Sequence, residues 1–225
     1  MRVIYTAIAG EYDSLKEHPP IKGWHFVAFV DDPIKQIHAG WETRKLISFH
    51  PDPVRNSKRY KVLAHEFFPD AECSLWMDGN LKIVKSFDLD ELADKFLAVN
   101  DIALIEHRRR HCIYAEAEAC KERRLDDPSI IDRQISRYQE EGYPGQNGLS
   151  ENLIVLRRHT ADVTALNTMW WREICEGSRR DQLSLCYCMW KKGMRHTTMP
   201  RDTIYFPYFV RGKHLHPHHR FPFTP

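Results

Sequence analysis

No stretch of this 225-residue chain approaches the roughly 20 consecutive apolar residues that a membrane-spanning helix needs, so no such span is expected. Nor is there an excess of one charge. Thirty-three Lys and Arg face 31 Asp and Glu, and a net charge of +2 gives no field-based argument for a nucleic-acid partner or a membrane surface. The six cysteines form no CxxC pair and no dense spacing, which argues against a disulfide scaffold and against a cysteine-rich zinc site. Only Arg2 precedes the opening apolar run, which stops at Gly10 with no small-residue cleavage site after it. Reduced thiols and a cytoplasmic location are the expectation. Neither repeats nor low-complexity tracts occur before the last dozen residues, and no Gly-rich phosphate loop followed by Lys is found.

What is present is the composition of an ordinary globular domain, 42% apolar and 28% charged. A single domain over residues 1–225 is the expectation, with a tail from about 210 to 225 rich in His, Pro and Arg. Apolar runs alternate between strand and helix patterns. Strands are expected at Val3–Ala9, Trp24–Val30, Cys73–Met77, Leu81–Val84, Ile102–Ile105, Asn152–Leu156 and Thr203–Phe209. Helical spacing covers Val54–Phe68, Asp88–Ala98, Cys112–Arg124, Asp127–Glu141, Thr160–Cys175 and Asp181–Lys191. Such alternation predicts an α/β fold with a mixed, mostly parallel central sheet flanked by helices. In these sheets ligands bind beyond the carboxyl ends of the strands. The polar clusters lie there: Gly10–Asp13, Asp31–Asp32, Asp78–Asn80, Glu106–Arg108, and Glu151–Asn152 at the start of a strand.

The segment Trp76-Met77-Asp78-Gly79-Asn80 ends a buried strand in a short acidic turn. There a carboxylate can hold a divalent cation, Gly lets the backbone approach a phosphate, and Asn adds an oxygen. Asp-Gly is equally a common turn dipeptide, so the turn by itself supports both readings.

The wider context resembles a known family. Tyr5–Asp13, Phe29–Asp32, the Arg55–Pro69 helix, Trp76–Asn80, His107–Glu116, Gly148–Asn152, Trp170–Glu173 and Ser178–Ser184 occur in the order found in the glycosyltransferase-like family of bacteria and plants formerly catalogued as a domain of unknown function. The resemblance implies a GT-A-like nucleotide-diphospho-sugar transferase fold. It also implies transfer of a sugar from a UDP- or GDP-sugar donor to a hydroxyl of a glycan or glycolipid acceptor, assisted by Mn²⁺ or Mg²⁺. Position 80 departs from the general metal motif of such folds, which has Asp at both ends, and this puts metal affinity in question.

On that reading Thr6, Ala7 and Tyr12 cradle the nucleoside, and Asp31 or Asp32 accepts its hydrogen bonds, although a strand-end turn explains the same residues. Arg55 and Arg59, one helical turn apart, face the diphosphate, while Lys61 belongs to a solvated face. His107 and Arg110 are the inward members of a basic run. Asp78 and Gly79 anchor the metal and phosphates, and Asn80 and His216 complete the metal set, with His214 as a substitute for His216. Asn152 and Gln182 join the donor site. Glu151 and Asp181 are the candidate catalytic carboxylates, Asp181 being equally placed to act as a helix N-cap. One of Trp170 and Trp171 belongs to the core, and the other is free to stack on a sugar ring. A non-catalytic nucleotide-sugar or glycan binding module is the second hypothesis, and a nucleotidyltransferase the third.

Overall fold

The computed structural model describes residues 1–35 and 40–215, with residues 203–206 as backbone only. Its centre is a seven-stranded sheet of β1 (Arg2–Ile8), β2 (Trp24–Val30), β3 (Glu42–Lys45), β4 (Cys73–Met77), β6 (Ile102–Glu106), β7 (Ser150–Arg158) and β8 (Thr197–Met199), in the order β3-β2-β1-β4-β7-β6-β8. The β1–β2, β1–β4, β2–β3 and β6–β8 pairs are parallel. Only β7 runs against its neighbours, β4 and β6. A second, two-stranded sheet pairs β5 (Leu81–Ile83) with β9 (Phe209–Arg211) antiparallel. The central strands are apolar on both faces because helices and loops cover both. One cluster gathers Tyr5, Trp76, Val155, Trp170 and Tyr187, and the other Ile4, Leu75, Ile105, Leu156 and Phe209.

The helices are α1 (Pro53–Val62), α2 (Ala64–Phe67), α3 (Leu89–Phe96), α4 (Ile113–Glu122), α5 (Pro128–Glu140), α6 (Ala161–Glu176), α7 (Leu185–Lys192) and α8 (Arg201–Tyr208). Asp52 caps α1, its carboxylate accepting from the Val54 N–H at 2.9 Å, with Pro53 in the first turn where no intrahelical donor is needed. Asp88, Asp127 and Thr160 cap α3, α5 and α6 in the same way.

Three expected elements differ, and one strand is unexpected. The Val54–Phe68 helix is broken at Leu63, whose φ/ψ of −91°/42° is not helical, so α1 and α2 are separate. Asp181–Lys191 is also divided: Asp181–Leu183 is a single 3₁₀ turn, and α7 begins after Ser184. Thr203–Phe209 is expected as a strand from its aromatic and β-branched residues, but most of it lies in α8, and only Phe209 enters β9. β3 escapes the pattern because it is a polar edge strand, Glu-Thr-Arg-Lys, with no apolar face to read.

Candidate functional site

At the carboxyl ends of β1, β4 and β6, and beside the start of the antiparallel β7, lies a cavity of about 500 Å³, within the range of small-molecule sites. Nine Lys and Arg and five Asp and Glu line it among the described residues, so it is cationic although the chain is nearly neutral.

The acidic turn after β4 forms its floor. The Asp78 N–H donates to the Leu153 carbonyl at 2.9 Å, and its carbonyl accepts from Leu81 N–H at 2.9 Å, closing the turn. The Trp76 indole N–H donates to Asp78 Oδ1 at 2.8 Å. Gly79 is required for space: a Cβ there would lie 3.0 Å from Ile8 Cγ1 and 3.4 Å from Asp13 Cβ. The turn is thereby packed against the end of β1.

Opposite it, α1 presents Lys58 and Lys61. They are three residues apart and therefore on one helical face. Lys61 Nζ stands 2.8 Å from Asp181 Oδ2 and 3.4 Å from Asp78 Oδ1, with the Lys61 side chain 1% exposed. Lys58 Nζ lies 2.8 Å from Asp181 Oδ1. The Lys61 backbone is fixed as well. Its carbonyl accepts from the Tyr5 hydroxyl at 2.8 Å and from the buried Arg157 guanidinium. Asp181 is held in turn: its carbonyl accepts from the Trp170 indole at 3.1 Å, and Asn152 Nδ2 donates to Oδ2 at 3.4 Å. The preceding loop is tied down by Asp126, which accepts from the Ser178 hydroxyl and the Arg179 N–H.

Burial disfavours the charge on Asp181, but Lys58, Lys61 and Arg180 outweigh it and hold this carboxyl far below the usual range. Burial likewise opposes the Lys61 charge, and Asp181 and Asp78 overcome it, so the Lys61 pKa is raised. Asp181 is thus a locked anion. It organises two cations and is a weak proton acceptor.

A second group of residues follows β6. His107 is buried, and its Nδ1 accepts from the backbone N–H of Arg109 at 3.2 Å and of Arg110 at 3.0 Å. The ring proton therefore sits on Nε2. Burial depresses the His107 pKa, against the opposing field of Glu116. Arg110 turns inward onto Glu116, which is 3% exposed. Glu151 pairs with Arg201 at 2.5 Å, and Gln182 Nε2 donates to the Ser150 carbonyl at 3.3 Å.

The third wall comes from the far end of the chain. Asn80 Nδ2 donates to the Gly212 carbonyl at 3.2 Å, and the Gly212 N–H returns to the Asn80 carbonyl at 2.7 Å. His214 Nδ1 lies 2.8 Å from Asp13 Oδ2, its Nε2 lies 3.2 Å from Asn80 Nδ2, and its ring packs on Tyr12 with centroids 4.5 Å apart. The expected tail therefore begins as part of the site. Residues 216–225, His216 among them, lie outside the described residues.

The cavity thus brings together Ala7, Tyr12, Asp78, Gly79, His107, Arg110, Glu151, Asn152, Asp181 and Gln182 of the expected residues, with Asn80 directly behind its wall. Five others do not line it. Arg55 donates to the carbonyls of Ile174 and Gly177, joining α1 to α6, and Arg59 lies over Phe49 and Phe67 with Glu66 beside it. Both are on an adjoining face of α1, and Lys61, expected to be solvated, is one of its most buried charges. Asp31 accepts from the Gly10 N–H at 2.5 Å and Glu11 N–H at 3.4 Å, steadying a turn in which Gly10 and Glu11 both have positive φ. Asp32 caps the turn at Ile34 and Lys35. Thr6 is buried within β1. Trp170 is core, and Trp171 packs edge-on against Phe49 rather than in the cavity. Lys58, Glu116, Arg180, Arg201 and Arg211 are lining residues that sequence patterns did not single out for these places, whereas Asp13, of the Gly10–Asp13 cluster, and His214, the substitute metal ligand, are expected near the site and also line it.

A mostly parallel sheet with a cationic cavity and an acidic turn at its strand ends is the arrangement that the family resemblance implies. The sequence matches the family model described as "TOD1/MUCI70, glycosyltransferase-like domain" over residues 44–213. The chain belongs to this family. It is 28% identical over 210 residues to the Arabidopsis thaliana protein described as "Probable hexosyltransferase MUCI70". That match covers 81% of this chain and 36% of the plant protein, so the chain spans about a third of its relative's length.

The described residues do not make up a divalent-cation site, and His216 lies outside them. Among the described residues no group of three or more His, Cys, Asp or Glu is gathered for one. Asp78 Oδ1 already accepts from Trp76 and faces the Lys61 ammonium, and His214 is engaged by Asp13 and Asn80. Asn80 Oδ1 is buried and has no hydrogen-bond partner, the one atom here that a cation would satisfy.

Proposed function

We propose that this domain transfers a sugar, in keeping with its relative a hexose, from a nucleoside-diphosphate sugar to a hydroxyl of a glycan or glycolipid. The observation that carries the reading is the Lys58–Asp181–Lys61–Asp78 constellation in the cavity wall. It gathers two ammonium groups, each held by a carboxylate, in the wall of the cavity that would receive a diphosphate. In the transfer, the bond from the anomeric carbon to the β-phosphate oxygen breaks and its electron pair stays on the phosphate. A bond from the acceptor oxygen to that carbon replaces it. The added charge on the diphosphate is what Lys58 and Lys61 stabilise, and preorganised charges of this kind need no rearrangement as the reaction proceeds.

Tyr12, with Ala7 and the end of β1, offers the nucleoside an aromatic face and backbone groups. Glu151, which lines the same cavity, is the carboxylate assigned to the acceptor proton, with Arg201 orienting it. Asp181 is assigned to positioning, since three cations hold its proton affinity down.

The test is release of UDP or GDP from a panel of UDP- and GDP-hexoses, with and without oligosaccharide acceptors. Turnover that survives in Arg59→Ala but falls at least a hundredfold in Glu151→Gln supports the assignment. A protein that binds these donors yet never releases the nucleotide, with any acceptor, is a binding module instead.

A further inference from the structure

The Lys61 ammonium occupies an unusual place. It is buried between two carboxylates, Asp181 at 2.8 Å and Asp78 at 3.4 Å, with the Trp76 ring 5.4 Å away. Asp78 is the residue from which a metal would be held, and Asp181 is another carboxylate lining the same cavity. A cation between two carboxylates at a strand end is what a bound metal supplies. Here the chain supplies it from its own helix. The ammonium is held in place, because the Lys61 carbonyl is gripped by Tyr5 and Arg157, and because Lys58 takes the second oxygen of Asp181. Asn80 uses its amide nitrogen on Gly212 and His214, so it fastens the C-terminal segment to the turn. A divalent ion brought to Asp78 would meet a like charge a few ångströms away.

We propose that Lys61 is a built-in cation that takes the place of a divalent metal at Asp78, and that the domain binds its diphosphate through Lys61 and Lys58 without metal. The second half rests on the nucleotide-sugar reading above. The first half stands on the protein alone.

The experiment has two arms. In the first, Mn²⁺ is titrated into the ligand-free protein and followed by electron paramagnetic resonance of free Mn²⁺. Wild type is expected to show no binding tighter than about 1 mM. In Lys61→Met, which leaves Asp78 and Asp181 with one ammonium fewer, Mn²⁺ is expected to bind at least tenfold more tightly and to raise the melting temperature. Lys61→Arg keeps the charge and is expected to behave as wild type. Saturable wild-type binding at about 0.1 mM or tighter overturns the proposal, and so does a folded Lys61→Met with no gain. Should Lys61→Met not fold, the wild-type and Lys61→Arg titrations still decide.

In the second arm, UDP and GDP are titrated by calorimetry in EDTA and in Mn²⁺. Equal affinity within about twofold supports the proposal, and binding that requires Mn²⁺ overturns it. If neither nucleotide binds in either buffer, the nucleotide-sugar reading falls, while the first arm continues to test the built-in cation.

Discussion

Lys61 and Asp181 form a contact of 2.8 Å between side chains that are 1% and 3% exposed. One comes from α1 and the other from the loop after α6. A buried pair of this kind has a large desolvation cost, and its value lies in what it fixes in place.

Removing the Asp181 charge therefore leaves Lys58 and Lys61 under-compensated. Asp181→Asn is expected to lose on the order of 3–5 kcal/mol of stability, the usual result of stranding a buried partner. Urea denaturation at pH 7 measures it. A loss under about 1 kcal/mol would mean that the lysines relax into solvent, and the preorganised site would be wrong.

Gly79→Ala tests the packing of the acidic turn. Its new Cβ would approach Ile8 Cγ1 to 3.0 Å, and Ile8 is buried. Overpacking of this order costs about 1–3 kcal/mol. The shift is also expected to move Asp78 and weaken nucleotide binding. An unchanged melting temperature and unchanged affinity would show that the turn has room to spare.

How far this site could be read from sequence is clearest on α1. Arg55 with Arg59, and Lys58 with Lys61, are both basic pairs about one turn apart, and local spacing cannot say which pair meets the cavity. Three-dimensional packing decides. Arg55 is drawn to the carbonyls at the end of α6, and Lys61 to carboxylates brought in by β4 and the Asp181 turn. Strand ends were legible because buried strands show as continuous apolar runs, which placed Asp78, His107 and Asn152 correctly on one edge. The Asp13–His214 contact joins the two ends of the chain and leaves no local pattern. Likewise, α8 forms from residues whose own preferences favour a strand, so tertiary packing overrides propensity there.

The C-terminal segment supplies a third prediction. Asp13 accepts from His214 at 2.8 Å and from the Leu215 N–H at 3.4 Å. In Asp13→Ala, amide exchange at Gly212–Leu215 is expected to rise at least tenfold while that of β1 and β4 stays constant. Equal protection in both proteins would show that Asn80 alone holds the segment.

A pH dependence follows from His159. Burial first, then the nearby Arg157 and His65 charges, lower its pKa to about 4, and its Nε2 lies 2.9 Å from the Ser74 hydroxyl. The folded state thus binds the proton less well than the unfolded chain, whose His titrates near 6.5. Its contribution is complete above about pH 6.5 and declines as pH falls from there toward 4. Discounted for partial exposure, the loss is about 2 kcal/mol. Denaturation midpoints between pH 7 and 4 should fall in wild type and fall less in His159→Gln. Parallel curves would remove His159 from the account.

The central claim is that the Lys58–Lys61 wall of the cavity receives a nucleoside diphosphate. Thermal shift with UDP- and GDP-sugars in wild type, Lys58→Ala and Arg59→Ala tests it most directly. A ligand at a hundred times its dissociation constant stabilises the fold by about 2.7 kcal/mol. The account predicts such a shift in wild type and Arg59→Ala, and its loss in Lys58→Ala. A shift that disappears in Arg59→Ala and persists in Lys58→Ala, or no shift with any of these compounds, would contradict it.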